Sequence, residues 1–313
     1  MMNYTPLVFV RCMTFNQSQY IKDALDGFVM QETNFPYICC IIDDASTDGE
    51  QEIINKYCEE YFDFQEKDAY QYDETDDYIR YFVRHKTNRN CFFLIVNLKY
   101  NHYSIKKTKL PYYTEWSDKA KYYALCEGDD YWIDPLKLQK QVDFMEAHPK
   151  HSLCYCNNIR IFPDGHQEMQ PRYPSTKEIC PIEDLILEGG GAMSTHTMFY
   201  KQELYVPYDT WAKGCPVGDL PTMLSLAAKG YVGFLSDVVG VHRFESKGSW
   251  TSKMAMDRKK SKNVSRAIVK MYKQFDEWTD YKYHTAIRKK IRDIKTSILK
   301  GDIVYYVRKL LKR

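Results

Sequence analysis

The feature that most constrains the fold is a repeated order of short apolar run, polar loop and helical period. Two apolar runs, at residues 7–12 and 37–42, are each followed by apolar side chains at helical spacing: Ile21, Leu25 and Phe28 after the first, and Ile53, Ile54 and Tyr57 after the second. Such alternation is typical of parallel strands covered by helices. The sequence therefore predicts an α/β fold built on an open, Rossmann-like, mostly parallel sheet.

Local signals predict where other elements begin. Thr47 and Glu50 have the spacing of a capping box, and Asp134-Pro135 is a typical helix start. Residues 63–77 and 98–116 lack a clear period and are predicted to be insertions or long loops. Three glycines at residues 189–191 favour a plain loop over a ligand contact. The last sixty residues are predicted to be mostly helical.

Composition and charge exclude several classes of protein. With 44% hydrophobic and 27% charged residues, the chain is expected to be globular. Ten cysteines are scattered through apolar runs without a CxxC pair, which favours buried thiols over disulfides or zinc. The sequence contains no window of about 18 apolar residues, which a membrane-spanning helix would need. Because residues 1–10 lack the features of a leader, we expect a cytoplasmic protein.

Acidic residues follow the predicted strands. Asp43 and Asp44 end the second apolar run, Glu127-Gly128-Asp129-Asp130 ends the run at residues 122–126, and Asp219 begins a helix. Ligands of open α/β sheets bind beyond the carboxyl ends of the strands. Clustered carboxylates repel one another unless a cation such as Mg²⁺ or Mn²⁺ neutralises them. The pattern thus predicts a metal-bound diphosphate.

Three motifs in order resemble those of family 2 glycosyltransferases. They are Met13-Thr14-Phe15-Asn16, Ile42-Asp43-Asp44-Ala45-Ser46-Thr47-Asp48 and Glu127-Gly128-Asp129-Asp130-Tyr131-Trp132. The resemblance covers roughly residues 6–249. It implies a GT-A fold, inverting transfer and a nucleotide-sugar donor, often a uridine diphosphate (UDP) sugar, in an enzyme of the bacterial surface-polysaccharide type.

The resemblance also implies roles for single residues. Thr14 and Phe15 would border the nucleotide base, and Asp44 would accept a hydrogen bond from it. Asn16 and Asp43 would also bind the donor. Asp129 would bind the metal, with Glu127 at the preceding acidic position of the motif. Asp130 would face either the donor sugar or a structural partner. His242 would be a third metal ligand or contact the phosphates, which Arg243 would grip. Asp219 would be the general base, and Trp132 and His196 would line the acceptor pocket.

The same resemblance suggests a division of the chain. Residues 1–250 would form the GT-A domain, with a donor half to about residue 132 and an acceptor half from about residue 133, and residues 251–313 would form a basic helical extension. Residues 282–313 contain eleven Lys or Arg and two Asp, a net charge of +9, whereas the remainder carries −7. This asymmetry favours either a solvated helical face or peripheral attachment to the inner face of a membrane. A glycan or lipid-linked acceptor would suit the second alternative.

Other functions are weighed against this one. A sugar-phosphate nucleotidyltransferase also uses metal-binding acids, but its glycine-rich loop is missing after the first strand, where Arg11-Cys12-Met13-Thr14 stands. A non-catalytic carbohydrate-binding protein gives no reason for three acidic loops at strand ends. The basic tail alone would suit nucleic acid, yet no recognisable nucleic-acid module accompanies it, so nucleic acid is not an expected partner.

Overall fold

The structure is a computed structural model that describes residues 5–170, 179–244 and 257–310, with side chains described up to residue 300. The strands are β1 (Val8–Thr14), β2 (Tyr37–Asp43), β3 (Phe62–Asp63), β4 (Gln71–Glu74), β5 (Tyr78–His85), β6 (Cys91–Leu98), β7 (Tyr122–Leu125), β8 (Tyr131–Trp132), β9 (His151–Ile161), β10 (Gln167–Met169), β11 (Ile179–Cys180), β12 (Phe199–Lys201) and β13 (Tyr231–Arg243). The α-helices are α1 (Ile21–Val29), α2 (Glu50–Tyr61), α3 (Thr114–Ser117), α4 (Lys137–Ala147), α5 (Ile182–Glu188), α6 (Asp219–Ala227), α7 (Arg258–Trp278) and α8 (His284–Leu310). Short 3₁₀ turns lie at Leu110–Tyr112, Gly189–Gly191, Thr195–Thr197, Gln202–Leu204 and Tyr208–Thr210.

These strands form one mixed sheet. Its main order is β11-β13-β9-β12-β7-β1-β2-β6-β5-β3. The centre is parallel, because β1 pairs in parallel with both β2 and β7, and β2 pairs in parallel with β6. Antiparallel strands β5 and β12 flank this centre, and β9 and β13 form a further parallel pair. The predicted α/β class is confirmed, with more antiparallel pairing at the sides than the sequence indicated.

Both faces of the central sheet are buried. Along β2, Cys39 and Ile41 pack with the core under α1, α2 and α4, whereas Cys40 and Ile42 pack with the core under α5, α6, α7 and α8. This explains why β2 is a continuous apolar run without alternation. All ten cysteines are free thiols, and nine are buried. The prediction of buried thiols is confirmed, since these small apolar side chains fill the two cores.

Two predicted helix starts are wrong. Helix α2 begins at Glu50 after Gly49, whose φ of 88° is left-handed, and Thr47 does not cap it with its side chain. Glu50 turns instead toward β1, for reasons given below. Helix α4 begins at Lys137, so Asp134 precedes it and accepts a hydrogen bond from Leu136 N at 2.9 Å. In both cases the acidic side chain accepts hydrogen bonds from loop residues.

The region predicted to hold insertions contains much regular structure. Strands β4 and β5 form an antiparallel pair, and β5 continues onto β6 at the edge of the central sheet. Tyrosine and phenylalanine side chains cover this edge; for example, the rings of Phe82 and Phe92 stack at 5.4 Å. Residues 64–70, 75–77 and 99–109 remain loop, and the last of these segments folds over the end of β2.

The C-terminal helices pack against the second half of the sheet. The hydroxyl of Tyr272 on α7 donates to Ile186 O at 3.1 Å, and Lys290 Nζ on α8 donates to Leu187 O at 2.6 Å. The helical character predicted for this segment is confirmed over α7 and α8. The predicted domain boundary at residue 250 lies outside the described residues. Among the helices that the structure describes, none is long and apolar enough to cross a membrane.

Candidate active site

A cavity of about 970 Å³ lies at the carboxyl ends of the central strands, between the sheet and α6, α7 and α8. Six residues predicted from the sequence line it: Glu127, Asp129, Asp130, Asp219, His242 and Arg243. They come from three separate parts of the chain, and the glycines at residues 189–191, predicted to be a plain loop, also border the cavity. Tertiary folding therefore brings the predicted metal site and the predicted base into one space.

The acidic loop is held tightly against the end of β1. Gly128 N donates to Met13 O at 3.2 Å. A Cβ on Gly128 would lie 2.3 Å from Thr14 Oγ1 and 2.6 Å from Gln17 Oε1, so a larger residue cannot fit without displacing the loop. Glycine at this position lets the neighbouring acids reach the cavity while the backbone contacts β1.

Glu127 and Asp129 flank that glycine and face the cavity. Burial, reinforced by the charges of Asp130 and Asp129, raises the pKa of Glu127 to about 8. Burial and Asp130 likewise raise the pKa of Asp129 to about 6. Both shifts reflect anionic groups crowded in a poorly solvated place. A cation bound beside them would favour their charged forms.

Asp130 points away from its neighbours and joins two histidines. Its Oδ2 lies 3.1 Å from His196 Nδ1 and 2.9 Å from His242 Nδ1, and its Oδ1 accepts from Arg243 N at 3.0 Å. Burial opposes the charge, but His242 and His196 hold the pKa of Asp130 well below its usual range. Of the two alternatives predicted for Asp130, the structure favours the structural partner.

The two histidines differ in exposure. His196 is fully buried, and burial lowers its pKa despite Asp130. The side chain of His242 is 32% exposed; burial opposes its charge, but Asp130 raises its pKa above the ordinary value. Because Nδ1 of His242 faces Asp130, Nε2 is the nitrogen that a metal or phosphate could use. A carboxylate that orients a histidine in this way is a usual support for a metal ligand.

Arg243 closes the rim beside the acidic loop. Its Nη1 donates to Asp129 O at 2.8 Å, Nη2 pairs with Asp23, and its guanidinium lies over the rings of Tyr20 and Tyr131 at 4.7 and 4.5 Å. These contacts place a fixed positive charge next to Asp129. The position suits the predicted contact with phosphates.

Asp219 stands at the start of α6 and borders the same cavity as the acidic loop. Its Oδ1 accepts from Leu220 N at 2.8 Å, and burial raises its pKa. The predicted helix start is confirmed, but Asp219 is the first residue of α6 and its side chain does not cap the helix. The second oxygen is the one that an acceptor hydroxyl could approach.

The loop after β1 is built around a residue whose site role the sequence did not reveal. The buried carboxylate of Glu50 accepts from Thr14 Oγ1, from Gln17 N at 2.8 Å and from Ser46 Oγ at 2.8 Å. Asn16, with a left-handed φ of 54°, accepts from Thr47 N through its side chain at 2.8 Å. Glu50 and Asn16 thus tie the loops after β1 and β2 together.

The residues predicted to bind the nucleotide of the donor differ in exposure. Phe15 is 43% exposed and available, whereas the side chain of Thr14 is 4% exposed and bonded to Glu50. Asp43 is fully buried and accepts from Ser46 N at 2.8 Å and Gln51 Nε2 at 2.6 Å. In this conformation the side chain of Thr14 and Oδ1 of Asp43 are bonded within the loop, whereas Oδ2 of Asp43 has no hydrogen-bond partner among the described residues. Contact of these two side chains with a donor stays a prediction.

Asp44 is also engaged. Its oxygens accept from His102 N at 2.8 Å and Tyr103 N at 3.0 Å, and Lys109 Nζ lies 3.1 Å from Oδ2. With 5% exposure, the carboxylate can meet a nucleobase only if residues 101–109 shift. The proposed base contact of Asp44 therefore depends on movement of this loop.

The two predicted acceptor contacts are corrected by the structure. The ring of Trp132 is 2% exposed and packs edge-on against Phe28 at 5.1 Å, and its Nε1 donates to His196 O at 2.9 Å. Neither Trp132 nor His196 borders the cavity. Trp132 supports the core beneath the acidic loop, and His196 positions Asp130.

Several residues that border the cavity were not predicted. Arg11 projects from β1, and Tyr200, Tyr205 and Tyr208 line the same cavity. An arginine inside an otherwise apolar strand is a signal visible in the sequence. The tyrosines carried no signal of their own among 27 tyrosines in the chain.

Comparison with known proteins agrees with this arrangement. Residues 12–71 match the model of the family described as Glycosyl transferase family 2. An uncharacterized protein of Mycobacterium tuberculosis is 29% identical over 253 residues, which cover 79% of this chain. The chain spans 61% of the length of that relative.

Two solved structures share the fold. S. aureus TarS 1-349 in complex with UDP-GlcNAc has a TM-score of 0.54 at 15% identity, covering 85% of this chain and 66% of that one. The mannosyltransferase PcManGT from Pyrobaculum calidifontis, in complex with GDP-Man and Mn²⁺, has a TM-score of 0.52 at 15% identity, covering 96% and 76%. At such identity the likeness shows the GT-A fold alone. Residues 12–71 are thus similar to family 2 glycosyltransferases, and the described chain has the GT-A fold.

Proposed function

We propose that this enzyme transfers a hexosyl or N-acetylhexosaminyl group, with inversion, from a UDP-sugar to a hydroxyl of a glycan or lipid-linked acceptor. The observation that carries the proposal is the shared cavity, which Glu127 and Asp129 border from the acidic loop and Asp219 borders from the start of α6. Inversion requires a base on the face of the sugar opposite the leaving diphosphate. Glu127 and Asp129 would serve the leaving diphosphate, whereas Asp219 would serve as the base.

The residues near the acidic loop fit a divalent cation. Glu127, Asp129 and Nε2 of His242 offer the oxygen and imidazole ligands that Mn²⁺ or Mg²⁺ accepts, and Asp130 orients the histidine. When bound, the metal would stabilise the negative charge of the leaving diphosphate. Arg243 would add a guanidinium to the same phosphates. Asp219 would remove the proton of the acceptor hydroxyl.

Metal affinity is expected to rise with pH. The raised pKa values of Glu127, about 8, and Asp129, about 6, mean that protons compete with the cation below these values. We therefore expect the affinity for Mn²⁺ to increase between pH 6 and pH 8 by about tenfold per pH unit for each proton displaced. Calorimetric titration with Mn²⁺ alone at pH 6, 7 and 8 measures this, and buffers of different ionisation heat reveal proton release. A pH-independent affinity without proton release would contradict these ligands.

The donor class is tested by nucleotide binding. We expect UDP with Mn²⁺ to raise the melting temperature more than UDP alone or GDP with Mn²⁺, because metal and nucleotide bind together to the folded state. Asp129→Ala should abolish the Mn²⁺-dependent part. Asp118→Ala, at an exposed acid away from the cavity, is the matched control. No metal-dependent shift with any nucleotide, together with no hydrolysis of UDP-sugars, would refute the proposed function.

The acceptor side favours an amphipathic substrate. Apolar residues of the cavity wall include Met193, Val217, Ile268 and Ile294, the last two from α7 and α8. On the outer side of α8, Arg288, Lys289 and Arg292 are exposed. We propose that this basic face attaches the enzyme to the anionic inner face of a membrane, where a lipid-linked acceptor resides. Cosedimentation with anionic and neutral vesicles tests this, and equal binding to both would contradict it.

A further inference from the structure

Arg11 is an unusual residue for its place in the fold. It lies in the middle of the central strand β1, between Val10 and Cys12, which are both fully buried. Its side chain is partly buried and borders the large cavity. A charged group in the centre of a parallel sheet is costly unless something compensates it.

The surroundings of Arg11 supply rings and hydroxyls. The guanidinium carbon lies 6.0 Å from the centre of the Tyr123 ring, and the hydroxyl of Tyr113 interacts with the guanidinium. Within the described parts of the chain, no ion pair joins Arg11 to a carboxylate. Its charge lowers the pKa of Glu127 only partly, since burial still dominates there. A guanidinium offers five N–H donors, which is more than one tyrosine hydroxyl can accept, and Arg11 borders the cavity.

The tyrosines beside Arg11 extend toward the proposed base. Tyr200 stacks on Tyr123 at 5.3 Å, and the Tyr205 ring follows at 6.0 Å from Tyr200. The ring of Tyr208 lies so close to Gly218, the residue before Asp219, that a Cβ there would come within 3.2 Å of Tyr208 Cε1. A row of aromatic rings therefore extends from Arg11 toward Asp219.

This row has the chemistry of a subsite for an acidic sugar or a phosphorylated polyol. Tyrosine rings offer apolar faces to a sugar ring, and their hydroxyls stay neutral because burial raises the pKa of Tyr200, Tyr205 and Tyr208. The guanidinium fork matches a carboxylate or phosphate. Arg243, and not Arg11, stands beside Asp129, where the donor diphosphate is expected.

We propose that Arg11, together with Tyr200, Tyr205 and Tyr208, binds a carboxylate or phosphate group of the acceptor. The inference rests on the proposed transferase function and deepens it, since it names the acceptor as anionic. The anion would compensate the charge of Arg11 and hold a neighbouring hydroxyl beside Asp219. Recognition by a buried charge discriminates strongly against neutral analogues, because these leave the guanidinium unpaired.

Three probes that differ only at one carbon test the subsite. Methyl glucoside, its 6-phosphate and the corresponding methyl glucuronide are titrated into the enzyme by saturation-transfer NMR, both with and without UDP and Mn²⁺. We expect at least one charged probe to bind about tenfold or more tightly than the neutral glucoside. A preference for the phosphate or for the carboxylate identifies which anion the acceptor carries.

Variants connect the preference to Arg11. Arg11→Met should abolish the preference, Arg11→Lys should retain part of it, and Arg266→Met, at an exposed arginine on α7, should leave it unchanged. Binding of UDP with Mn²⁺ should persist in all three and should be unchanged in Arg266→Met. Equal binding of charged and neutral probes to the wild-type enzyme, or binding of none, overturns the inference whatever the variants do. Normal nucleotide binding in that case would leave the transferase function intact, so the two failures are distinguishable.

Discussion

Replacement of Asp219 by asparagine is expected to lower the rate of sugar transfer by about 10²–10⁴-fold, the usual contribution of a general base. The amide oxygen of asparagine can still accept the hydrogen bond from Leu220 N, so the start of α6 should remain intact. Binding of UDP with Mn²⁺ should be unchanged, because Asp219 lies at the start of α6 and not in the acidic loop. Steady-state transfer rates and nucleotide titrations measure the two effects separately.

The pH profile provides an independent check on Asp219. Since burial raises its pKa, transfer by the wild-type enzyme should fall with decreasing pH at a higher pH than an ordinary aspartate, near 3.9, would give. The asparagine variant should lack this limb. Asp118→Asn, at an exposed aspartate away from the cavity, is the control. Equal loss of nucleotide binding and transfer in Asp219→Asn would reject the role of base.

The second large effect is expected at Asp130. Replacing it by alanine removes the partner of His196, His242 and Arg243 N together, and breaking a buried pair on one side costs about 3–5 kcal/mol. Asp130→Asn should cost less, because the amide keeps one acceptor oxygen. Lys22→Ala, which breaks an exposed pair with Asp26, should cost less than about 1 kcal/mol. Urea unfolding of the four proteins measures these differences in free energy of unfolding.

The loss at Asp130 should also depend on pH. The pKa of Asp130 is depressed, so its contribution is present above about pH 3.9 and disappears as pH falls through the folded pKa. The pKa of His242 is raised, so its share is complete below about pH 6.5 and is lost as pH rises through the folded pKa. Asp130→Ala should therefore destabilise more at pH 6 than at pH 9. A similar loss for Lys22→Ala, or no change between these pH values, would contradict the ion-pair role.

Much of the structure up to about residue 132, the predicted donor half, could be predicted because the sequence patterns of its strands are local. Strands β1, β2 and β7 are buried on both faces and therefore appear as apolar runs, and each ends where polar residues begin. Asp129 and Asp219 follow directly from such boundaries. The edge strands β4 and β5 were missed because they mix Tyr, Arg and Asp on partly exposed faces, where no single period is enforced.

The distribution of acids among roles depended on contacts between distant residues. Asp43, Asp44 and Asp130 look alike in the sequence, yet Asp43 is consumed inside its own loop, Asp44 receives residues 102, 103 and 109, and Asp130 joins two histidines. Partners separated by more than 50 positions leave no local pattern. Burial then decides which carboxylate can meet a ligand.

The order of apolar runs and acidic turns was enough to predict the fold class, the acidic loop at residues 127–130 and the helix that begins at Asp219, because these depend on neighbours in the chain. Tertiary packing decided which contacts each polar side chain makes. Trp132 and His196 became supports beneath the acidic loop, whereas Arg11, inside an apolar strand, came to face the cavity. The physical reason is that desolvation and pairing depend on what surrounds a group in space, and those surroundings come from every part of the chain.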